Sequence, residues 1–248
     1  MVEWGQKRWS AMKKEYDNYI FDLYGTLVDI RTDEESPLFW ERFCHYCRFL
    51  GMDCRADGLR EAYLRLCREA EEAMGGGDAE IDLAAVWPRL GAAFGQALTA
   101  EDCRRMALTF RALSLRRLGL YPGAAEVLDE LRRRGKQVVL LSNAQRCFTE
   151  PELRSLGLYD RFDHVLLSSD VGVKKPSPAF FGLAAGLGCR AEDSLMVGND
   201  PVCDCAGAAA VGMDSAFIHT AQSPKGRAAL PKNCRRIHSL VEILAISL

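Results

Sequence analysis

Four short apolar runs, each ending in polar residues, constrain the fold of this chain more than any other feature. They are Tyr19-Ile20-Phe21 before Asp22, Val138 to Leu141 before Ser142-Asn143, Val165 to Leu167 before a loop with Lys174-Lys175-Pro176, and Leu195 to Val197 before Gly198-Asn199-Asp200. Short runs that are apolar on both sides are typical of parallel strands covered by helices on both faces. Because ligands bind at the carboxyl ends of strands in open sheets of this kind, we expect the four polar clusters to meet at one edge.

Helical patterns separate these strands along the chain. After the turn Tyr121-Pro122-Gly123, an apolar stripe predicts a helix that stops at Gly135. Further helices are predicted through Leu153 to Gly157, from Pro178 to Gly188 and from Pro201 to Gly212. Such alternation of strands and helices predicts an α/β fold with a Rossmann-like, doubly wound parallel sheet.

The segment after the first strand has a different pattern. Between roughly Thr32 and Leu118 the strand signals vanish and helical stripes follow one another. Ser36-Pro37 marks the start of the first of these helices, and Thr99 with Asp102 marks the start of the last. We therefore predict an α/β core domain of residues 1–31 and 119–248, with an all-helical cap domain of residues 32–118 above the polar edge.

Composition excludes several classes of protein. The chain has 32 Lys and Arg against 34 Asp and Glu, a formal net charge of −2, which argues against a nucleic-acid binder or a polybasic membrane anchor. The stretch from Met1 to Asn18 is mostly charged and polar, without the apolar run of a signal peptide, and nowhere do about 18 apolar residues follow one another. We therefore expect a cytoplasmic protein with a small-molecule substrate and no nucleic-acid or membrane partner; the oligomeric state stays unknown.

The ten cysteines and one basic run each have a structural and a functional interpretation. Without an export signal, a chain of 248 residues builds a core without disulfides, so reduced thiols are expected. Cys44 and Cys47 form a lone CxxC near Cys54, and no second pair or suitably spaced His completes a zinc site, which favours packing. The run from Arg104 to Arg117 is interpreted as a solvated helix face, with an arginine that reaches an anionic substrate as the alternative.

Asp22 is the first candidate for chemistry. It ends a strand, and the next basic residue along the chain is Arg31. Its charge therefore needs a distant lysine or a metal ion. Lys175 and the acids of the fourth cluster are candidates for these partners.

Four motifs in order resemble those of the haloacid dehalogenase-like (HAD) hydrolase superfamily. Their order, spacing and strand context match over a core from about Tyr19 to His219, and the helical insertion lies where one subgroup carries its cap domain. The matching segments are Phe21-Asp22-Leu23-Tyr24-Gly25-Thr26-Leu27-Val28-Asp29, Leu141-Ser142-Asn143-Ala144, Lys175-Pro176-Ser177-Pro178-Ala179-Phe180-Phe181, and Val197-Gly198-Asn199-Asp200 through Asp204.

The resemblance implies a set of catalytic roles. Asp22 would be the nucleophile and would form a covalent aspartyl intermediate that water then hydrolyses. Thr26 and Ser142 would donate hydrogen bonds to the developing anionic oxygens of the substrate, and Lys175 would neutralise charge on the nucleophile and the transferring group.

Lys174 and Asn143 lie next to the proposed catalytic residues, and each has more than one interpretation. The superfamily places its lysine immediately before proline, which selects Lys175 over Lys174. Asn143 is interpreted either as a turn former or as an amide that contacts the substrate, and both interpretations stay open.

The resemblance also implies a magnesium ion held by Asp22, the carbonyl of Tyr24 and the acids of the fourth motif. That motif departs from the family pattern, because many relatives have Gly-Asp where this chain has Gly198-Asn199, followed by Asp200. Either Asp200 takes the metal with Asp204 as support, or Asn199 occupies the first place and Asp204 carries the ligation. An acid-rich helix start is the structural alternative, since Asp is favoured there.

Tyr24 stands where the phosphatases of the superfamily carry an aspartate that acts as general acid and base. A tyrosine with a pKa near 10 stays protonated at neutral pH, so it donates a hydrogen bond but is a poor base. Tyrosine here is similar to the dehalogenases that act on 2-halo acids without a metal, yet those enzymes place a tyrosine where this chain has Phe181.

The leading hypothesis is therefore a magnesium-dependent phosphohydrolase that acts on a small phosphate ester. The alternatives are a metal-free 2-haloacid dehalogenase-type hydrolase and a degenerate member that binds a phosphorylated ligand without turnover.

Overall fold

The computed structural model describes residues 14–226 and 228–246, so the predicted polar segment before residue 14 lies outside the described part of the chain. Its strands are β1 (Asn18–Phe21), β2 (Val28–Thr32), β3 (Leu115–Leu120), β4 (Gln137–Ser142), β5 (His164–Leu167), β6 (Ser194–Gly198), β7 (Asp214–Ile218) and β8 (Cys234–Ile237). Its α-helices are α1 (Pro37–Phe49), α2 (Ala56–Ala73), α3 (Val86–Ala93), α4 (Ala100–Ser114), α5 (Ala124–Arg133), α6 (Arg146–Ser155), α7 (Ser168–Val171), α8 (Pro178–Gly186), α9 (Gly207–Ala210) and α10 (Ile243–Ile246).

Six strands form one parallel sheet in the order β5-β4-β1-β6-β7-β8. The central strand β1 pairs with β4 on one side and β6 on the other, so that Phe21 lies opposite Leu140 and Val197. The residues that follow these three strands therefore emerge next to one another at the same edge. The predicted doubly wound α/β fold is confirmed.

Alternate residues of β1 face two different helical layers, as the pleat of a strand requires. Tyr19 and Phe21 pack in one apolar cluster with Val127 of α5, whereas Ile20 packs in another with Phe180 of α8. All four residues of β1 are buried. Burial on both faces explains the large apolar side chains of Ile20 and Phe21, each of which stabilises the fold by roughly 1.5–3 kcal/mol when fully buried.

The helices α1 to α4 lie between β2 and β3 and share an apolar cluster of their own, to which α6 of the sheet layer contributes Phe148. Cys44 and Cys47 are buried in this cluster, and all ten cysteines in the described residues are free. Helix α4 begins with a capping box between Thr99 and Asp102. The division of the chain at residues 31/32 and 118/119 stays a prediction.

The expected absence of strands up to Leu118 is wrong at its end. Strand β3 begins at Leu115 and pairs antiparallel with β2, with Ile30 opposite Leu118. Its sequence, Leu-Arg-Arg-Leu-Gly-Leu, continues the basic pattern of α4. The sequence alone therefore does not mark it as a strand, and only its pairing with β2 does so. In the described part of the chain, no helix combines the length and apolar character needed to cross a membrane.

Candidate active site

Asp22 follows β1 directly and is only 8% exposed. Its backbone amide donates to the carbonyl of Val197, which fixes the chain as it leaves the sheet. One carboxylate oxygen, Oδ1, accepts hydrogen bonds from Ser142 Oγ at 3.1 Å and from Lys175 Nζ at 2.8 Å. The other, Oδ2, accepts from Thr26 Oγ1 at 3.2 Å. The structure thus brings together the four residues that the sequence predicts as nucleophile, hydroxyl donors and lysine.

Lys175 lies between two carboxylates in the interior. Its Nζ is 2.8 Å from Asp22 Oδ1 and 2.7 Å from Asp204 Oδ1, and the residue is 2% exposed. Burial disfavours the charged ammonium, but the negative charges of Asp204 and Asp22 outweigh burial and raise the pKa of Lys175. Burial also raises the pKa of Asp204, against the opposing effect of Lys175. Lys175 therefore remains a cation at neutral pH.

Asn143 binds the backbone of Lys175 with both ends of its amide. Its Nδ2 donates to the carbonyl of Lys175 at 2.9 Å, and its Oδ1 accepts from the Lys175 amide at 2.7 Å. Both bonds hold the lysine loop against the end of β4. This arrangement favours a positioning role for Asn143 over direct contact with substrate.

The fourth motif supplies a dense set of oxygen atoms. Asp200 caps the π-helical segment Pro201–Ala206, because its Oδ1 accepts from the amides of Val202 and Cys203. Asp204 Oδ2 accepts from the Asp200 amide, so both oxygens of Asp204 are engaged. The capping role predicted as the structural alternative is thus present, alongside a position at the edge of the pocket.

Asn199 reaches the loop that follows β1. Its Oδ1 lies 3.3 Å from Thr26 Oγ1. Gly25 makes this approach possible, since a Cβ there would lie 2.2 Å from Asn199 Nδ2 and the glycine has φ of 83°. A glycine is therefore required between Tyr24 and Thr26.

The hydroxyl of Tyr24 is bound by α6. It hydrogen-bonds to Thr149 Oγ1 at 3.0 Å and donates to Glu152 Oε2 in a very short contact. Burial, followed by the negative charge of Glu152, raises the pKa of Tyr24, so the phenol stays protonated. Sequence reasoning did not find Thr149 or Glu152, because neither lies in a motif and only the packing of α6 brings them to Tyr24.

Glu152 also joins this loop to the helical insertion. It is 5% exposed, and its Oε1 lies 3.1 Å from Nε of Arg111 on α4. Arg104 and Arg105 of the same basic run pair with Glu101 at the surface, as a solvated helix face predicts. Arg111 instead points inward, over the ring of Phe148 at 4.3 Å.

A pocket of about 190 Å³ is lined by most of the predicted site residues and by two residues of the loop after β7. Thr26 is fully buried behind it. Phe181 does not take part, because it packs against Gly207 in the apolar layer below the sheet. The lining residues are Asp22, Tyr24, Ser142, Asn143, Lys175, Asn199, Asp200, Cys203, Asp204, Gln222 and Pro224.

The described residues contain no group of three or more His, Cys, Asp and Glu side chains close enough to hold a metal ion. Asn199 adds an amide group to the lining of the pocket. Asp22, Asp200 and Asp204 all line the pocket, and the Lys175 ammonium lies 2.8 Å from Asp22 and 2.7 Å from Asp204.

The sequence profile of the haloacid dehalogenase-like hydrolase family matches residues 16–212. A ribulose-1,5-bisphosphate 5-phosphatase from Halopiger xanaduensis is 30% identical over 170 residues, which cover 68% of this chain and 71% of the relative. A phosphoserine phosphatase from Thermus thermophilus is 36% identical over 132 residues, and here the match spans 53% of each protein.

Solved structures with the same fold include different enzymes. A 2-haloacid dehalogenase from Pseudomonas syringae superposes with a TM-score of 0.62 at 22% identity, over 93% of this chain and 97% of that protein. A HAD phosphatase from Thermococcus onnurineus superposes with a TM-score of 0.59 at 24% identity, over the same shares. At these identities the likeness shows the fold alone.

Two findings define the class of protein. The family profile matches most of the chain, and the match to the ribulose-1,5-bisphosphate 5-phosphatase spans more than two thirds of each protein. The chain belongs to the haloacid dehalogenase-like hydrolase family, and it is a hydrolase. The resemblance found in the four motifs is confirmed.

Proposed function

We propose that the protein is a magnesium-dependent phosphohydrolase that acts on a small phosphate ester, with Asp22 as nucleophile. The observation that carries this proposal is the position of the Asp22 carboxylate at the pocket. Its two oxygens accept hydrogen bonds from the hydroxyls of Thr26 and Ser142 and from the ammonium of Lys175. Relatives named as phosphatases of ribulose bisphosphate, phosphoserine and glyceraldehyde 3-phosphate support the choice of phosphate esters.

The first step transfers the phosphoryl group to the protein. An oxygen of Asp22 attacks phosphorus, the bond from phosphorus to the ester oxygen breaks, and the leaving alkoxide takes a proton from water. Lys175, Ser142 and Thr26 are within hydrogen-bonding distance of Asp22, so they are placed to stabilise the negative charge that spreads over the phosphoryl oxygens. Water then attacks the aspartyl phosphate and releases inorganic phosphate and the Asp22 carboxylate.

Tyr24 sets the kind of leaving group that the protein handles well. Its phenol stays protonated and its hydroxyl is bound to Glu152 and Thr149, so it is not a base for the attacking water. Because its pKa is raised, the phenol is also a weak acid for the leaving group. Esters of acidic alcohols, whose alkoxides need little protonation, are therefore the better substrates.

The oxygen donors fit magnesium. This ion keeps several waters and needs only one or two carboxylates, and Asp22, Tyr24, Asn199 and Asp200 line one pocket. Asp204 is already bound to Lys175 and to a backbone amide, which favours it as a support and not a ligand. When bound, the ion would neutralise charge on the transferring phosphoryl group.

Hydrolysis of 4-nitrophenyl phosphate tests the proposal. We expect release of 4-nitrophenol with Mg²⁺, loss of that activity with EDTA and recovery when Mg²⁺ is added back. Asp22→Asn, which keeps the shape of the side chain, should lower kcat by about a thousandfold or more. Asp17→Asn is the matched control, because Asp17 lies before the opposite end of β1 and its side chain is exposed. Wild-type activity in Asp22→Asn would refute the proposed nucleophile.

A carbon–halogen hydrolase is the second candidate, favoured by the tyrosine at position 24. In that case chloride should be released from 2-chloropropionate in the presence of EDTA, and 4-nitrophenyl phosphate should not be cleaved. If neither compound reacts while a phosphate ester raises the Tm, the protein binds such esters without turnover.

A further inference from the structure

A segment of the helical insertion is hydrogen-bonded to the loop that carries Lys175. The 78–81 segment, between α2 and α3, runs antiparallel to this loop, with a β-bridge between Ala79 and Val173. The Lys174 amide donates to the carbonyl of Asp78 at 2.9 Å, and the Glu80 amide donates to the carbonyl of Gly172 at 3.0 Å. The insertion is thus bonded to the residue immediately before Lys175.

The Glu80 side chain binds residues that follow two strands of the sheet. Its Oε2 accepts from Ser168 Oγ at 3.1 Å, and its Oε1 accepts from Gln145 Nε2 at 3.1 Å. Ser168 in turn accepts from the amide of Ala144 at 2.9 Å. The Glu80 carboxylate therefore ties the end of β5 to the loop after β4, where Asn143 holds the Lys175 backbone.

Gln145 returns the contact to the insertion. Its Nε2 also donates to the carbonyl of Ile81 at 2.8 Å, and its Oε1 accepts from the amide of Leu83 at 2.8 Å. Two backbone bonds therefore join the 78–81 segment to residues 172–174. The Glu80 carboxylate and Gln145 hold the same segment against the ends of β5 and β4.

The position of the loop that carries Lys175 matters, because the Lys175 ammonium has to reach two carboxylates at the same time. Its Nζ lies 2.8 and 2.7 Å from two buried carboxylates, distances typical of charge-assisted hydrogen bonds. Functional side chains need to be held within about 0.5 Å of their productive geometry, and a misplacement of about 1 Å costs roughly a hundredfold in rate. Asn143 holds the lysine loop from the sheet side, and the 78–81 segment holds it from the insertion side.

We propose that Glu80 is a positioning residue for Lys175: by binding Ser168 and Gln145 it seats the 78–81 segment against residues 172–174 and so fixes the lysine against Asp22. The proposal rests on the proposed function, since it assigns Glu80 to the service of the catalytic lysine. It gives the helical insertion a part in building the site, beyond covering it.

Glu80→Ala is the decisive variant. We expect kcat for 4-nitrophenyl phosphate to fall about tenfold or more, while KM changes by less than about twofold, because the binding groups remain and the lysine loop loses its support. Hydrogen–deuterium exchange should accelerate in a peptide that covers residues 172–176 and stay unchanged in β1. Glu80→Gln, which retains one acceptor oxygen, should recover part of kcat.

Asp78→Asn is the matched control. Its side chain is exposed, and the bond to Lys174 comes from the backbone carbonyl, so kcat and exchange should equal those of the wild type. Should Glu80→Ala fail to fold, Glu80→Gln is judged by the same measurements, with a smaller fall in kcat expected.

Wild-type kcat in a folded Glu80 variant overturns the proposal, as does a fall in kcat without faster exchange at residues 172–176. A different result tests the function itself. If the wild type cleaves no phosphate ester, the phosphohydrolase proposal fails, and the exchange measurement alone decides whether Glu80 holds the lysine loop.

Discussion

Lys175 Nζ lies 2.8 Å from Asp22 Oδ1, although 153 residues separate the two positions in the chain. The contact forms because β1 lies in the centre of the sheet and Lys175 follows β5 on a loop that Asn143 holds against the end of β4. Together with Asp204, the pair forms a buried group with one positive and two negative charges. Such a group is costly to break, because a single missing partner leaves an uncompensated charge in the interior.

Replacement of Lys175 by methionine should therefore affect both activity and stability. The variant leaves Asp22 and Asp204 buried next to each other without a cation, so we expect no measurable turnover and a loss of about 3 kcal/mol in the free energy of unfolding. Urea denaturation and 4-nitrophenyl phosphate hydrolysis measure the two effects. Lys174→Met is the control, since its backbone bond to Asp78 remains. Equal losses in both variants would contradict the assignment of the lysine before proline.

Tyr24→Asp tests whether the protein lacks an acid and base. An aspartic acid at this position, in its protonated form, should give its proton to poor leaving groups and then act as a base for the attacking water. We therefore expect kcat/KM for glycerol phosphate to rise by about a hundredfold relative to that for 4-nitrophenyl phosphate. Tyr24→Phe, which removes the hydroxyl without adding an acid, should show no such rise. An unchanged ratio in Tyr24→Asp would contradict the idea that Tyr24 limits the protein because it replaces an acid and base.

The cysteines offer a prediction that is independent of function. A hydrogen bond from Cys205, against the opposing effect of burial, lowers the pKa of Cys234, whereas burial raises the pKa of Cys103. Only the thiolate reacts with iodoacetamide, so the rate at Cys234 should rise with pH through a midpoint below the usual thiol value of about 8.5. Peptide mass spectrometry should find Cys234 alkylated well before Cys103, another partly exposed cysteine. In Cys205→Ala the midpoint should move upward; a midpoint that stays in place would show that another group lowers it.

The strands that build the site were predictable from the sequence, because apolar runs before Asp22, Ser142 and Asn199 are buried on both faces and carry the pattern by themselves. Strands β3 and β8 were not, since Leu115–Leu120 and Cys234–Ile237 each contain two arginines and take their form from a partner strand.

The residues of the site also fall into two groups, those that the sequence located and those that only the structure could place. Motifs located Asp22, Lys175 and Asp204, whereas the role of Asn143 was open until its two bonds to the Lys175 backbone were known. The contact of Glu152 with Tyr24 depends on which face of α6 packs toward the site, and a helical pattern does not fix that rotation.

The contact between Arg111 and Glu152 leads to the last prediction, on stability. Arg111 is the basic residue of α4 that pairs with a buried carboxylate of α6, and its side chain is 18% exposed. Arg111→Met leaves the Glu152 charge without that partner, so we expect a loss of about 3 kcal/mol in the free energy of unfolding. Arg104→Met, which breaks an exposed pair with Glu101 on the same helix, should lower the free energy of unfolding much less than Arg111→Met does. Urea denaturation of both variants measures the difference. In a Glu152→Gln background the buried charge is gone, so Arg111→Met should cost less than it does alone. An undiminished loss would mean that Arg111 stabilises the fold through its other contacts, which are the packing on Phe148 and the ion pair with Glu34 at 3.7 Å.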